Sequence, residues 1–257
     1  MNIDELVQLD NLVITAIDKN YYEYLDKFPD STILIIHDPT EVKNKDFVEK
    51  IKRFKIFTIR ETVQKYLLDN FNIQSELKFH PFYQYNLEGT DTNSNYKCLS
   101  ISRIDFDKHT EIILKANRLI NDDKIYIYGA ENRLFVHHTL SKLGLKEDFE
   151  KYWMKKFPKN LPLTDSDSNN LLNNCEYVVD MSIIKGDGGG TQYTFLEAIY
   201  NDCVLILHKE WVSQGNLFVD KHNCYVVGNT DKPDQEIADI ISNPNKKLDK
   251  KIIKNAK

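Results

Sequence analysis

Four glycines crowd into one short stretch, Gly186, Gly188, Gly189 and Gly190, between a segment that reads as a strand ending at Asp180 and one that reads as a helix starting near Thr191. Glycines there let the backbone approach a ligand closely, and the first N–H groups of the helix face an anion such as a phosphate. The plainer alternative is a turn that uses glycine only for its backbone freedom. No Lys-Ser or Lys-Thr follows the loop and the glycine spacing is not that of a dinucleotide fingerprint, so neither phosphate consensus fits. Within the helix, Glu197 stands between Leu196 and Ala198. A buried carboxylate there needs a cation or a pair of ligand hydroxyls, and an exposed face position is the alternative.

A second segment, CLSISRIDFDK from Cys98 to Lys108, ends a strand near Ser102 and then offers Arg103 and Lys108 on a short loop before a helix. Open α/β sheets bind ligands at the C-terminal ends of their strands. A guanidinium fork beside an ammonium point charge suits a diphosphate, although such residues on a loop are commonly just solvated. Two Asp-x-Asp triplets, Asp105 with Asp107 and Asp165 with Asp167, have the form of a metal-and-diphosphate motif. The first lies inside the Arg103–Lys108 loop and the second in a polar loop that favours short Asp and Ser residues, so no metal site is expected.

The elements that must position these residues are short apolar, β-branched runs alternating with helical patterns. Strands are expected at Asn11–Ile17, Thr32–Ile36, Lys55–Ile59, Leu77–His80, Cys98–Ser102, Lys124–Tyr128, Glu176–Asp180, Cys203–Leu207 and Tyr225–Val227. Their nearly continuous apolar character is that of parallel strands covered on both faces. Helices are expected at Lys45–Phe54, Glu61–Asn70, Lys108–Ile120, Phe135–Leu143, Gln192–Asn201 and Asp234–Ile241, the clearest carrying Ile112, Ile113, Ala116, Leu119 and Ile120 on one face. The alternation predicts an α/β protein with parallel sheets. The polar stretch Asn86–Asn95 reads as a linker, giving an N-terminal domain over 1–85, a linker over 86–96 and a C-terminal domain over 97–257. Phe157–Asn170 reads as a surface loop, and the Lys-rich tail from Asn243 has helical character with only a weak apolar stripe.

The 257 residues, 41% hydrophobic and 28% charged, suffice for one large or two small cores. A net charge of −5 with scattered Lys and Arg disfavours a nucleic-acid partner held through phosphates. No apolar run reaches membrane-spanning length, and the acidic start lacks a signal-peptide core. Four dispersed cysteines without a CxxC pair suggest neither zinc nor a disulfide framework, so reduced thiols in a cytoplasmic protein are expected.

Together these residues resemble the family-4 retaining glycosyltransferases. SRIDFDK, with Arg103 and Lys108, resembles their GRLxxxKG; YTFLEAIYNDCVLIL (Tyr193–Leu207) resembles LEAMAxGxPVI; and SQGNLFVDKHNCYVV (Ser213–Val227) resembles the GGxxEVVxDGxxGxLV that follows. The resemblance covers about Ser100–Asp239. A looser likeness, around YTFLE and QGNLF, runs to a phage glucosyltransferase acting on DNA and to virus-encoded members, which would place the protein in a host cytoplasm.

The resemblance implies a GT-B-like α/β fold, two Rossmann-like domains with parallel sheets, and a retaining, metal-independent hexosyltransferase-like enzyme. It implies no cofactor, a UDP- or GDP-linked sugar as donor, and a glycan or glycoprotein as acceptor. Arg103 and Lys108 would hold the diphosphate, and Gly188, Gly189, Gly190 and Thr191 would approach the donor. Glu197 matches the second glutamate of the family's Glu-x7-Glu, which receives the ribose hydroxyls. The first falls on Gly189, a departure, with Asp187 the nearest acid for the sugar. By position, Tyr128 and Arg133 in the loop after the second strand can stack on the base, or simply end the strand. His37, closing a strand, corresponds to a histidine facing the reacting sugar, or merely caps that strand. His80-Pro81-Phe82-Tyr83 falls at the family's interdomain segment and reads as structural, with His80 a cleft residue as the alternative. Relative to the family the N-terminal domain reads as reduced, and the helix that crosses back to it is not expected. A non-catalytic or half-site nucleotide-sugar-binding subunit that needs a partner chain is the competing expectation, with a partner chain or a homo-oligomer as the assembly.

Overall fold

The computed structural model describes residues 3–15, 19–78, 96–155, 171–172, 174–183 and 191–257. The described residues fall into two compact units, one from residues 3–78 with Thr191 and one from residues 96–183 and 192–257. The expected linker, except Tyr96, lies outside the described residues, as do His80, the glycine stretch 186–190 and the triplet at Asp165 and Asp167.

In the first unit, β1 (Val13–Thr15), β2 (Ile33–Ile36), β3 (Lys55–Thr58) and β4 (Glu76–Leu77) form a parallel sheet in the order β1-β2-β3-β4. The helices are α1 (Ile3–Leu6), α2 (Lys45–Ile51) and α3 (Glu61–Phe71), with 3-10 stretches at Lys19–Lys27 and Pro39–Val42. Asn44 starts α2 by accepting hydrogen bonds from the N–H groups of Asp46 and Phe47, and Asn72 ends α3 in the left-handed region at φ 54°. Leu34, Ile36, Phe47, Ile51, Val63 and Leu67 are the centre of this unit's core.

In the second unit, β5 (Cys98–Ile101), β6 (Ile125–Tyr128), β7 (Tyr177–Asp180), β8 (Val204–His208) and β9 (Tyr225–Val227) are also parallel, in the order β6-β5-β7-β8-β9. Helices α4 (Thr110–Leu119), α5 (Lys146–Tyr152), α6 (Tyr193–Tyr200), α7 (Lys209–Val212), α8 (Pro233–Ser242) and α9 (Lys246–Ala256) join a π-helical turn at Phe135–Leu140. Strand alternation splits the side chains into two cores. Tyr177, Val179, Val204 and Ile206 pack with residues of α4, α5, α8 and α9, whereas Leu99, Val178, Leu205 and Leu207 pack with Phe195 and Ala198 of α6 and Trp211 of α7. Both faces of the sheet are therefore covered, which is why its strands read as continuous apolar runs.

Eight of the nine expected strands form, and at the ninth a two-residue strand, Glu76–Leu77, shares only Leu77 with the expected Leu77–His80, whose last two residues lie outside the described ones; the two Rossmann-like α/β units carry parallel sheets as expected. Three local expectations need correction. The buried stripe of α4 includes Leu114 and Asn117 and leaves Leu119 exposed, because the Asn117 amide bonds both the N–H and the C=O of Ile125 at 2.8 Å and turns the helix. The Lys-rich tail docks as α9, since buried Asp249 accepts hydrogen bonds from Tyr177 (2.7 Å) and Tyr225 (2.8 Å) in place of a wide apolar stripe. Helix α5 was not expected from the sequence; its core contacts are Phe149 and Tyr152. The four cysteines are free and buried.

Candidate functional site

The order β6-β5-β7 reverses direction at β5. Helix α4, next after β5, packs on one face of the sheet, and α6, the next described element after β7, packs on the other, so the chain diverges to opposite faces after these two neighbouring strands. In open α/β sheets that divergence forms the crevice where ligands bind.

The loop Ser102–His109 sits at this point and is braced from both sides. Toward β6, the Ser102 N–H bonds the Tyr128 carbonyl (3.1 Å), the Ile104 N–H bonds Ala130 (2.9 Å) and the Asn132 side chain bonds Asp105 (2.8 Å). Toward β7, the Ile183 N–H bonds the Asp107 carbonyl at 2.9 Å. Gly129 packs so closely here that a Cβ on it would lie 1.7 Å from the Ser102 carbonyl oxygen. His109 then turns the chain into α4 at φ 46°, a left-handed conformation in the place where the family pattern carries glycine.

The two cations of the loop differ sharply. Lys108 is only 6% exposed. Its Nζ donates to Ser182 Oγ at 2.7 Å and reaches Gln192 Oε1 at 3.5 Å, with the Trp211 ring centroid 6.0 Å away. Among the described residues no carboxylate pairs with it, so a buried ammonium rests on neutral oxygens and an indole face. Arg103, with its side chain 62% exposed, is held by Asp105 (3.3 Å) and Asp107 (3.1 Å). The first Asp-x-Asp triplet thus has an occupant, the loop's own arginine. No group of three or more His, Cys, Asp or Glu suited to a metal occurs among the described residues.

Gln192, the N-cap of α6, makes no side-chain cap bond and turns its carbonyl oxygen to Lys108 instead. Thr191 before it is buried. On α6, Glu197 is largely buried, and burial raises its carboxyl above the usual range; among the described residues its carboxylate has no hydrogen-bond partner. Lys108, Ser182 and Gln192 are thus brought together around one crevice.

Other candidates fall elsewhere. Tyr128 is 9% exposed and belongs to the core with Leu99 and Val178, and burial pushes its phenol up to about 12. It packs as a core residue, as the strand-end alternative describes. Arg133 is almost wholly exposed and only 3.9 Å from Glu131. In the first unit, His37 follows β2 with its N–H on Glu41 Oε1 (2.9 Å) and its ring 3.4 Å from the same oxygen. Asp187, Gly188, Gly189 and Gly190 lie outside the described residues.

Sequence reasoning missed Asp180, Ser182, Gln192 and Trp211. Asp180 left a signal, a carboxylate closing the otherwise apolar strand YVVD, and it is indeed 4% exposed. The other three carry no local mark, because their role comes from Lys108.

No family model matches the chain, and no curated protein matches it. Solved structures do. The Anabaena protein HepE in complex with UDP-glucose is 16% identical at a TM-score of 0.66, covering 99% of this chain and 74% of its own. The pneumococcal O-GlcNAc transferase GtfA in complex with UDP and GlcNAc is 14% identical at 0.61, covering 99% of this chain and 55% of its own. A glycosyltransferase from Rickettsia africae is 17% identical at 0.59, covering 99% and 72%. At such identities the likeness is one of fold: this chain has the two Rossmann-like, parallel-sheet α/β domains of the GT-B glycosyltransferases.

Proposed function

We propose that the protein is a retaining glycosyltransferase that moves a sugar from a nucleotide-sugar donor to a glycan or glycoprotein acceptor. The observation that carries this reading is Lys108, a buried ammonium held by neutral oxygens at the switch point of the second sheet. Among the described residues no carboxylate compensates this cation; burying such a charge costs several kcal/mol, roughly, and a diphosphate arriving in the crevice recovers that cost. The N-terminus of α6 adds N–H groups, since those of Tyr193 and Thr194 precede the first intrahelical bonds, which Phe195 and Leu196 make to Gln192.

In transfer, the bond between the sugar's anomeric carbon and the β-phosphate oxygen breaks and negative charge grows on the departing diphosphate. A fixed ammonium stabilises that charge more in the transition state than in the ground state, and no metal is required for the task. Arg103 joins only by exchanging its Asp105 and Asp107 partners for phosphate, so its share is smaller. Glu197 receives the ribose hydroxyls, a pair of donors for a carboxylate that burial disfavours. Arg133 lies toward the base. The stretch from Gly188 to Thr191 approaches the sugar and phosphate, with Asp187 toward the sugar, and His37 faces the acceptor side. The donor is a UDP- or GDP-linked sugar, and the uridine form is the one bound in the similar Anabaena and pneumococcal structures.

Calorimetry against UDP, GDP and their hexose conjugates tests the reading, followed by donor hydrolysis with and without a chelator. Tight diphosphate binding that Lys108→Ala weakens strongly but measurably is expected, with hydrolysis unchanged by chelation. Equal binding by wild type and Lys108→Ala would falsify the assignment, and anomeric inversion in the product would remove the retaining mechanism.

A further inference from the structure

Lys108 does not hold its own position. A lysine side chain is long and loses rotamer entropy when fixed, so an ammonium that must meet a phosphate needs partners that fix it beforehand. Ser182 is wholly buried and its Oγ is 2.7 Å from Lys108 Nζ. Ser182 is itself anchored, because its N–H donates to Asp180 Oδ1 at 2.8 Å. Asp180 is 4% exposed, and its Oδ2 has no partner among the described residues.

Strand alternation puts Asp180 on the same face as Val178, which packs with α6 and Trp211, and that is the face to which Lys108 extends. A buried carboxylate left half-satisfied at the end of β7 is costly for stability alone. Its return is a serine locked at the end of the strand, with the hydroxyl turned to the lysine.

We infer that Ser182, anchored by Asp180, is the positioning residue that presents the Lys108 ammonium to the donor diphosphate. The inference rests on the glycosyltransferase reading, since it presupposes that Lys108 meets the diphosphate. Ser182 need not touch the donor; it acts through the lysine. The hydroxyl accepts from one ammonium proton and Gln192 Oε1 lies within reach of a second, which leaves the third for a phosphate oxygen.

Calorimetry with UDP and with uridine tests it on wild type, Ser182→Ala, Lys108→Ala and the double variant, with GDP and guanosine substituted if the chain selects guanine. Ser182→Ala should weaken UDP about 5- to 10-fold, the size of one hydrogen bond, and leave uridine within about two-fold. In the Lys108→Ala background, Ser182→Ala should change UDP affinity no further, since contacting residues couple. Normal UDP affinity in Ser182→Ala alongside a loss in Lys108→Ala overturns the inference and spares the reading. Equal loss of UDP and uridine in Ser182→Ala, or full additivity in the double variant, also overturns it, because either marks a purely structural serine. Unchanged UDP affinity in Lys108→Ala is the distinct result that removes the glycosyltransferase reading itself.

Discussion

The two units use the same parts to different ends. Both are parallel sheets with helical crossovers, but the first runs β1-β2-β3-β4 while the second runs β6-β5-β7-β8-β9. In the first, every described strand is added on the same side, so no switch point arises among them. Its candidate, His37, is occupied locally by Glu41, four residues away. In the second, the reversal at β5 opens a crevice, and the candidate there, Lys108, is bonded to residues 74 and 84 positions distant. Strand order, more than residue type, decides which unit holds a buried charge in waiting.

The largest expected effect sets these two residues against each other. Lys108→Ala should lower donor turnover by about 10²- to 10³-fold, the usual loss for one donor to a developing oxyanion, while His37→Ala should leave UDP affinity within about two-fold. Steady-state kinetics and calorimetry check the pair, and an equal loss of UDP binding in both would dissolve the contrast.

A glycine pair within the second unit sharpens it next. Gly129→Ala places a Cβ 1.7 Å from the Ser102 carbonyl and should cost about 3 kcal/mol or more in urea unfolding, displacing the Arg103 loop. Gly144, at φ +65° with nothing within 4 Å of the added atom, should lose about 1 kcal/mol. Similar losses at both would mean that the β5 and β6 loops are not locked together.

Asp249→Ala separates stability from binding. It removes the acceptor of two buried tyrosine hydroxyls and should destabilise by about 2–3 kcal/mol without altering UDP affinity. A matching fall in affinity would tie α9 to the crevice.

Glu197→Gln is the smallest effect and depends on pH. Burial raises the folded-state pKa of Glu197, so the neutral acid is favoured in the fold. The stability this confers is full below the unfolded-state pKa and is lost as pH rises through the folded one. The glutamine variant should therefore be more stable than wild type at about pH 7, with the gain vanishing near about pH 4. Urea unfolding at the two values measures it, and a gain that persists in acid would show that burial of the charge is not its origin.

Much of the fold was legible because burial on both faces writes itself into composition: ILII of β2, YVVD of β7 and VLILH of β8 are read directly as covered strands. The tail was harder, since α9 adds to the buried Ile252 a polar anchor, Asp249, and the tyrosines that Asp249 meets lie in β7 and β9. The site was legible in kind. Arg103, Lys108 and Glu197 could be singled out, yet nothing local distinguished the exposed, paired arginine from the buried lysine. Tyr128 shows the converse, an aromatic at a strand end whose ring the core takes up.

The sequence by itself determined which segments become strands and helices, because apolar periodicity and turn residues act within a few positions of one another. It also supplied the chemical types available at the strand ends. Only the tertiary structure decided that β7 lies beside β5, which sets Ser182 and Gln192 around Lys108 and leaves Arg103 to the aspartates of its own loop. Contacts across 74 or 84 residues leave no trace in local spacing; they exist because the sheet closes its order that way and buries the ammonium in the crevice it creates.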